Sequence, residues 1–326
     1  MAEQGWTTGT ARADGGSRNF KLWTPETLEP GRAYPLVMML HGCTHDAVDM
    51  ADISGINQIA EANRFLVVYP EQSRLANLMK CWNWFHPKHQ RRGAGEPSIL
   101  AAVVDSVCSV HNIDSDRIYV AGVSAGGAMA SILAATYPDL FAAAAMFAGT
   151  EFKAATSARE GFAVMKQGGP DPISHGELAF EAMREGLVRK KRRRMPVIVF
   201  HGTADSRVNP VNADQTIEQW RKTNACLAAV QSEVGFALTE KVIDGKIPSG
   251  YSYRQHIYAE FDGRVLMEKW LVDGLEHAWS GSPRASKYGD AKGPNASAEI
   301  WRFFSETGSH STSSSSSPHP AGPKIE

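Results

Sequence analysis

Val120-Ala121-Gly122-Val123-Ser124-Ala125-Gly126-Gly127 contains the pattern Gly-x-Ser-x-Gly. Arg117 to Ala121, just before it, reads as a strand, and Ala125 to Tyr137, just after it, as a helix. A serine on a strand-to-helix turn that sharp is held in a strained backbone conformation with its hydroxyl exposed. Glycines at 122 and 126 leave room where a side chain would strike the neighbouring strand or helix. Free N–H groups and the dipole at a helix start favour negative charge developing there. This is the setting of a nucleophilic serine. The plainer alternative is a serine that merely caps a helix. The flanking strand and helix, and the partners identified below, favour the nucleophile.

Outward from this turn the chain alternates strands and helices. Tyr34 to Leu40 and Phe65 to Tyr69 are near-continuous apolar runs. Ala142 to Phe147, Val197 to Phe200 and Val265 to Val272 follow, and Asn19 to Trp23 is an expected early strand. Continuous rather than alternating apolar strands imply burial on both faces, hence a parallel sheet. Helices are expected at Ile56 to Asn63, Ser98 to His111, Ala213 to Thr223 and Ser297 to Phe304. Strand and helix in turn predict an α/β fold with a doubly wound, mostly parallel sheet. One domain is expected over residues 1–307. Residues 151–194 lack an obvious strand and are read as a small helical cap inserted over the sheet's carboxyl edge. The tail, 308–326, with its run from Ser311 to Ser317, is too polar to bury surface and is expected to be disordered.

Composition narrows the partners. The formal net charge of -1 leaves no global field to draw nucleic acid or an anionic membrane. The basic run Arg189-Lys190-Lys191-Arg192-Arg193-Arg194 has no basic or aromatic cluster beside it and reads as a solvated helix end. No apolar run approaches the roughly 18 residues of a membrane span. Met1 to Trp6 lacks a basic segment followed by an apolar core, so a cytoplasmic location is expected, although a chain trimmed of a leader would read the same. Four cysteines are too few for a disulfide-built scaffold in a chain this long. Buried free thiols are the plain reading; Cys43 and Cys81 fall in segments placed near the site, which leaves a bridge between them open.

A serine nucleophile needs a base, and the base needs an orienting acid. Two loops follow apolar strands at their carboxyl ends, where sites in open parallel sheets form. One is His201-Gly202-Thr203-Ala204-Asp205 and the other Asp273-Gly274-Leu275-Glu276-His277-Ala278-Trp279. The expected triad is Ser124, Asp205 and His277, in the chain order of α/β-hydrolases. His201 competes as base but ends its strand and should pack structurally. Asp273 competes as acid but stands too close to His277 in sequence. The oxyanion hole should use the backbone N–H of Ala125 and of Cys43, the latter on the turn Leu40-His41-Gly42-Cys43. No metal is expected: His86 and His89 have no further ligands to complete a shell. Nor is a cofactor expected, since Gly122 to Gly127 is neither a phosphate loop nor followed by a ribose-binding acid.

Several of these segments together resemble the poly(3-hydroxybutyrate) depolymerase family of esterases, over most of residues 34 to 305. The resemblance rests on Leu40-His41-Gly42-Cys43-Thr44, Cys81-Trp82-Asn83-Trp84-Phe85 and Gly122-Val123-Ser124-Ala125-Gly126-Gly127-Ala128-Met129. It continues through Tyr137-Pro138-Asp139-Leu140-Phe141, His201 to Asp205, His277-Ala278-Trp279-Ser280-Gly281 and Gly293-Pro294-Asn295-Ala296. It implies the same triad and hydrolysis of hydroxyalkanoate polyester or its oligomers. Feruloyl and acetylxylan esterases belong to the same group and are the alternative; a polymer-granule binding protein with a relict site is the non-enzymatic one. Position 45 is His where the family commonly has glutamine. Trp82, Trp84, Phe85 and Trp279 are expected either to line an apolar acyl groove or to pack in the core.

Overall fold

Tyr34–Leu40 is buried at every position, as a strand covered on both faces must be. The computed structural model describes residues 5–190, 194–231 and 236–308. In chain order the strands are β1 (Trp6–Ala13), β2 (Gly16–Trp23), β3 (Tyr34–Leu40), β4 (Leu66–Pro70), β5 (Ile113–Val123) and β6 (Ala143–Phe147). Then come β7 (Val197–Gly202), β8 (Thr239–Lys246), β9 (Ser252–Ala259) and β10 (Val265–Val272). The helices are α1 (Ala47–Ser54), α2 (Ile56–Asn63), α3 (Gly95–Cys108), α4 (Ala125–Thr136), α5 (Ala158–Gln167), α6 (Pro172–Arg189), α7 (Val211–Val230) and α8 (Ala296–Gly308). These strands form one sheet in the order β1-β2-β4-β3-β5-β6-β7-β10-β9-β8. From β4 to β10 all neighbours are parallel, and antiparallel pairs close both edges.

Side chains alternate across β3. Leu36, Met38 and Leu40 enter a core with α3, α4, α6 and α7, while Val37 and Met39 enter a second core with α1, α2 and α8. The fold is therefore a doubly wound α/β-hydrolase sheet, as expected. The polar hairpin β8–β9 escapes the apolar-run criterion because its outer strand is largely exposed. Helix α1 also lay outside the expected elements. Asp46 accepts the Val48 and Asp49 N–H groups, and Asp49 accepts the Asp46 N–H in return, so a full capping box starts α1 directly after the loop that follows β3.

Within the insertion the two helices pack differently. Helix α6 joins the lateral helical layer, whereas α5 lies against the loop after β7, where Lys166 Nζ donates to Ser206 O and the Asn209 N–H to Met165 O, each at 2.7 Å. Ala179 and Met183 of α6 enter the first core, and Thr223 Oγ1 of α7 donates to Gly176 O at 3.0 Å. The basic run is neutralised where it is described: Arg189 pairs with Glu185, Lys190 with Asp116 and Arg194 with Glu260. Residues 191–193, and the expected tail beyond Gly308, lie outside the described residues.

Glu151, in the loop after β6, is buried, and neither of its carboxyl oxygens has a hydrogen-bond partner among the described residues. His175 Nδ1 lies 3.6 Å away. Burial, reinforced by Asp171, pushes the Glu151 carboxyl up to about 9 from its ordinary 4.5. The folded chain then keeps a proton that the unfolded chain releases, so stability falls as pH rises through that window. Melting temperature should decline between about pH 5 and pH 9 for this reason. Glu151→Gln should flatten the decline and be more stable at pH 8 by on the order of a few kcal/mol. Parallel pH profiles of the two proteins would remove Glu151 as the cause.

Candidate active site

Ser124 sits between β5 and α4 with φ 57° and ψ -121°, in the strained region that a nucleophile turn requires. Its own N–H donates to Phe147 O at 2.8 Å, which leaves the side chain to face outward. Close backbone approach makes the two glycines obligatory. A Cβ at Gly122 would lie 2.3 Å from Gly126 O, and one at Gly126 would lie 2.3 Å from Leu40 O. The turn is thus locked between β3 and the start of α4.

His277 arrives on the loop after β10, and its Nδ1 is 2.6 Å from Asp205 Oδ2 on the loop after β7. The two loops are laced together: Thr203 N–H donates to Val272 O and Ala204 N–H to Leu275 O. The other Asp205 oxygen accepts the N–H groups of Arg207 and Val208, each at 2.9 Å. Burial by itself would push the Asp205 carboxyl up. Hydrogen bonds from His201 and His277, the His277 charge and the Val208 N–H outweigh it and hold the carboxyl well below the usual carboxylate range. An anion fixed there presents His277 with Nδ1 as donor and leaves Nε2 free for a proton.

The rivals are placed elsewhere. His201 is fully buried, with Nε2 2.8 Å from Val208 O and 3.4 Å from Asp205 Oδ2. Asp273 is exposed and accepts the Thr203 hydroxyl at 3.1 Å. His86 and His89 each accept a backbone N–H, from Lys88 and Glu96 respectively.

Cys43 shares the cavity with Ser124, and Ala125 follows Ser124 directly. As first residue of α4, Ala125 has an N–H with no partner within the helix. The Cys43 N–H meets no acceptor among the described residues. The Cys43 loop is held from three sides. Cys43 is disulfide-bonded to Cys81, the pairing that the sequence left open. Thr44, at φ 71°, donates its N–H to Met79 O at 2.6 Å. His41 accepts the Gln72 N–H through Nε2 at 3.0 Å, and its Nδ1 donates to Gly42 O at 2.7 Å. Burial holds the pKa of His41 down at about 4, so the ring is neutral and structural at neutral pH.

Ser124, His277, Gly42 and Cys43 open on one cavity of about 210 Å³. Its apolar wall is Met50, Ile53, Met79 and Val123; its polar side is His45, Arg207, Lys287 and Tyr288. A more open cleft of about 510 Å³ near Trp6, Asn57 and Arg284 holds no triad candidate.

None of the four aromatic candidates lines the Ser124 cavity, and the groove expectation gives way to the core one. Trp82 is fully buried and donates its indole N–H to His41 O at 3.1 Å. Trp84 is buried, and its ring meets Phe85 edge to face at 5.7 Å. Phe85 packs against the first core. Trp279 is fully buried, stacks on Phe147 and donates to Ser297 Oγ at 3.2 Å. Asn83 fastens the segment: its N–H and its Nδ2 both donate to the buried Glu96 carboxylate at 2.7 Å. Indoles beside a site and indoles beneath it look alike in a sequence. Beyond Ser124, His277 and the Gly42–Cys43 turn, only His45 among the cavity residues stands out in the sequence, as a departure from a family pattern; nothing marks Met79, Arg207, Lys287 or Tyr288.

A parallel sheet with a serine turn between β5 and α4, and an Asp–His pair on the loops after β7 and β10, is the architecture of an α/β-hydrolase. Within that superfamily the chain belongs to the family described as esterase PHB depolymerase, which matches residues 20–242. It is 35% identical over 244 residues to poly(3-hydroxyalkanoate) depolymerase C of Paucimonas lemoignei, covering 74% of this chain and 54% of that protein. The chain therefore spans about half the length of that relative. It is 26% identical to feruloyl esterase B of Thermothelomyces thermophilus, over 78% of this chain and 82% of that one. It is 30% identical to acetylxylan esterase A of Emericella nidulans, over 62% and 66%. The solved acetyl xylan esterase from Aspergillus awamori superposes with a TM-score of 0.69 at 20% identity, over 92% of this chain and 99% of that one. That likeness shows the fold.

Trp84→Ala should remove core volume and cost about 3–5 kcal/mol of stability. Its kcat/KM, measured per folded molecule, should fall equally on hydroxybutyrate oligomers and on p-nitrophenyl acetate. A loss confined to the oligomers would return Trp84 to a substrate groove.

Proposed function

We propose that the chain is a serine esterase that hydrolyses hydroxyalkanoate polyester or its oligomers through an acyl-enzyme. The observation that carries the reading is the strained Ser124 on the same cavity as a His277 whose Nδ1 is fixed by Asp205. In this reading His277 Nε2 takes the Ser124 hydroxyl proton as Oγ bonds to the ester carbonyl carbon. The carbonyl oxygen becomes an oxyanion held by the N–H groups of Ala125 and Cys43. As the C–O bond to the alcohol breaks, His277 returns the proton to the leaving oxygen. A water molecule then gives its proton to His277 and its oxygen to the acyl carbon, and Ser124 regains its hydrogen.

Two features support a small hydroxyacid ester as the substrate. The relative at 35% identity is a polyhydroxyalkanoate depolymerase. A cavity of about 210 Å³ with a Met50, Ile53, Met79 and Val123 wall suits one short, branched acyl unit. The feruloyl and acetylxylan esterase relatives favour the second reading, a carbohydrate esterase. The Cys43–Cys81 bridge supports an oxidising setting over the cytoplasmic one that the N-terminal residues suggested.

Product analysis on amorphous polyhydroxybutyrate, hydroxybutyrate oligomers, methyl ferulate and acetylated xylan separates these readings. Hydroxybutyrate esters should be cleaved with kcat/KM at least about tenfold above the other two. Preferential release of ferulate or acetate would replace the polyester reading with the carbohydrate one.

A further inference from the structure

Arg207 and Lys287 stand out among the cations of this chain. Both line the cavity that holds Ser124 and His277, and both are exposed. The Arg207 guanidinium lies 5.5 Å from the Tyr288 ring centroid, and Lys287 Nζ lies 5.5 Å from the same centroid. Neither pairs with a carboxylate among the described residues. Elsewhere among the described residues many cations have an acidic partner: Arg92 holds Asp139, Arg254 holds Asp244, Arg302 holds Glu268 and Arg284 holds Asp52.

The acids nearest in sequence are already engaged. Asp205 is taken by His277 and its own loop, and Asp290 by the Tyr251 hydroxyl. Asp46, on the Cys43 loop, is paired with Lys80. Two positive charges therefore meet on one aromatic ring beside Ser124, and neither is paired with a carboxylate; the nearest acids, Asp46 and Asp49, face His45 on the other side of that ring. A bound anion would relieve that repulsion. His45 completes the polar wall. Its ring meets Tyr288 edge to face at 4.5 Å, and its buried Nδ1 has no hydrogen-bond partner. Burial lowers its pKa, so it adds a neutral polar atom to the wall.

We propose that Arg207 and Lys287 hold a free carboxylate on the alcohol half of the ester, so that the site cleaves hydroxyacid oligoesters at their carboxylate end. The proposal rests on the polyester reading above and deepens it. In a hydroxyalkanoate oligomer the last unit carries its carboxylate a few bonds from the ester oxygen. Hydrolysis of that ester consumes one water, breaks the acyl C–O bond and releases a hydroxycarboxylate and a shortened oligomer. The shortened oligomer again ends in a carboxylate, so each round presents the same group. Esters of neutral sugars offer no such anion, and the two cations would discriminate against them.

The test compares a linear hydroxybutyrate dimer bearing a free carboxylate with the same dimer as its terminal primary amide, p-nitrophenyl butyrate serving as a control for active enzyme. Because both cations are exposed and screened, the free acid should be favoured in kcat/KM by about fivefold or more at low salt, with the advantage shrinking as salt is added. In the Arg207→Gln/Lys287→Gln variant the ratio should fall to within about twofold of unity. Lys287→Gln alone should lower it part of the way and serves if the double variant does not fold. Equal rates for acid and amide in the unmodified enzyme, or an acid advantage that survives the substitutions, would overturn the carboxylate site and leave the polyester reading standing. Failure to cleave either dimer while p-nitrophenyl butyrate is turned over would overturn the carboxylate site, and the polyester reading would fall with it if amorphous polyhydroxybutyrate were also left intact.

Discussion

The backbone contact between Gly126 and Leu40 is the constraint on which the site depends. With a Cβ at position 126 only 2.3 Å from Leu40 O, α4 reaches the sheet only through glycine. That approach starts the helix directly on the end of β5 and forces Ser124 to φ 57°. It also brings the Ala125 N–H next to the loop that carries Cys43. The strained Ser124 and the placing of the two N–H groups proposed for the oxyanion are consequences of one steric fact. The cost, of order 1–3 kcal/mol for such a conformation, is met by two packed cores on either side of β3.

The proposed mechanism also requires a base held without freedom to wander. Asp205 and His277 are 72 residues apart in sequence and 2.6 Å apart in space. Parallel pairing of β7 with β10 puts both loops at the same end of the sheet. Backbone bonds between them fix the relative height of the two side chains. His201 stiffens the acid from behind, so the histidine that ends β7 supports the pair without facing the cavity. The Cys43–Cys81 bridge and the His41 contacts do the equivalent for the loop that carries Cys43.

Legibility in the sequence followed the nature of the constraint. The serine turn, the parallel core strands and the order Ser124, Asp205, His277 were readable because each imposes a local pattern: glycines at a close approach, unbroken apolar runs, an ionisable residue just past a strand. The hairpin β8–β9 was not readable, since its exposed outer strand leaves little apolar signal. The 151–194 insertion was recognised as helical, but where it packs is decided by contacts such as Thr223 with Gly176, far apart in the chain. Trp82, Trp84, Phe85 and Trp279 show the same limit from the other side. Their aromatic character suits a groove and a core equally; the buried Glu96 that ties down Asn83 selects the core for the 82–85 segment, and Phe147 and Ser297 do so for Trp279. The cavity wall itself comes from separate loops, and only the folded chain brings Met79, Arg207 and Tyr288 together.

Covalent labelling of the intact protein with a fluorophosphonate, followed by peptide mapping, tests the central claim most directly. A serine activated by His277 and Asp205 should take up one equivalent, on Ser124 alone. The label should be absent from Ser124→Ala and strongly slowed in His277→Ala, with ester hydrolysis by Ser124→Ala reduced at least about a thousandfold. An adduct on another serine, or a Ser124→Ala protein that keeps more than about a tenth of the activity, would contradict the account.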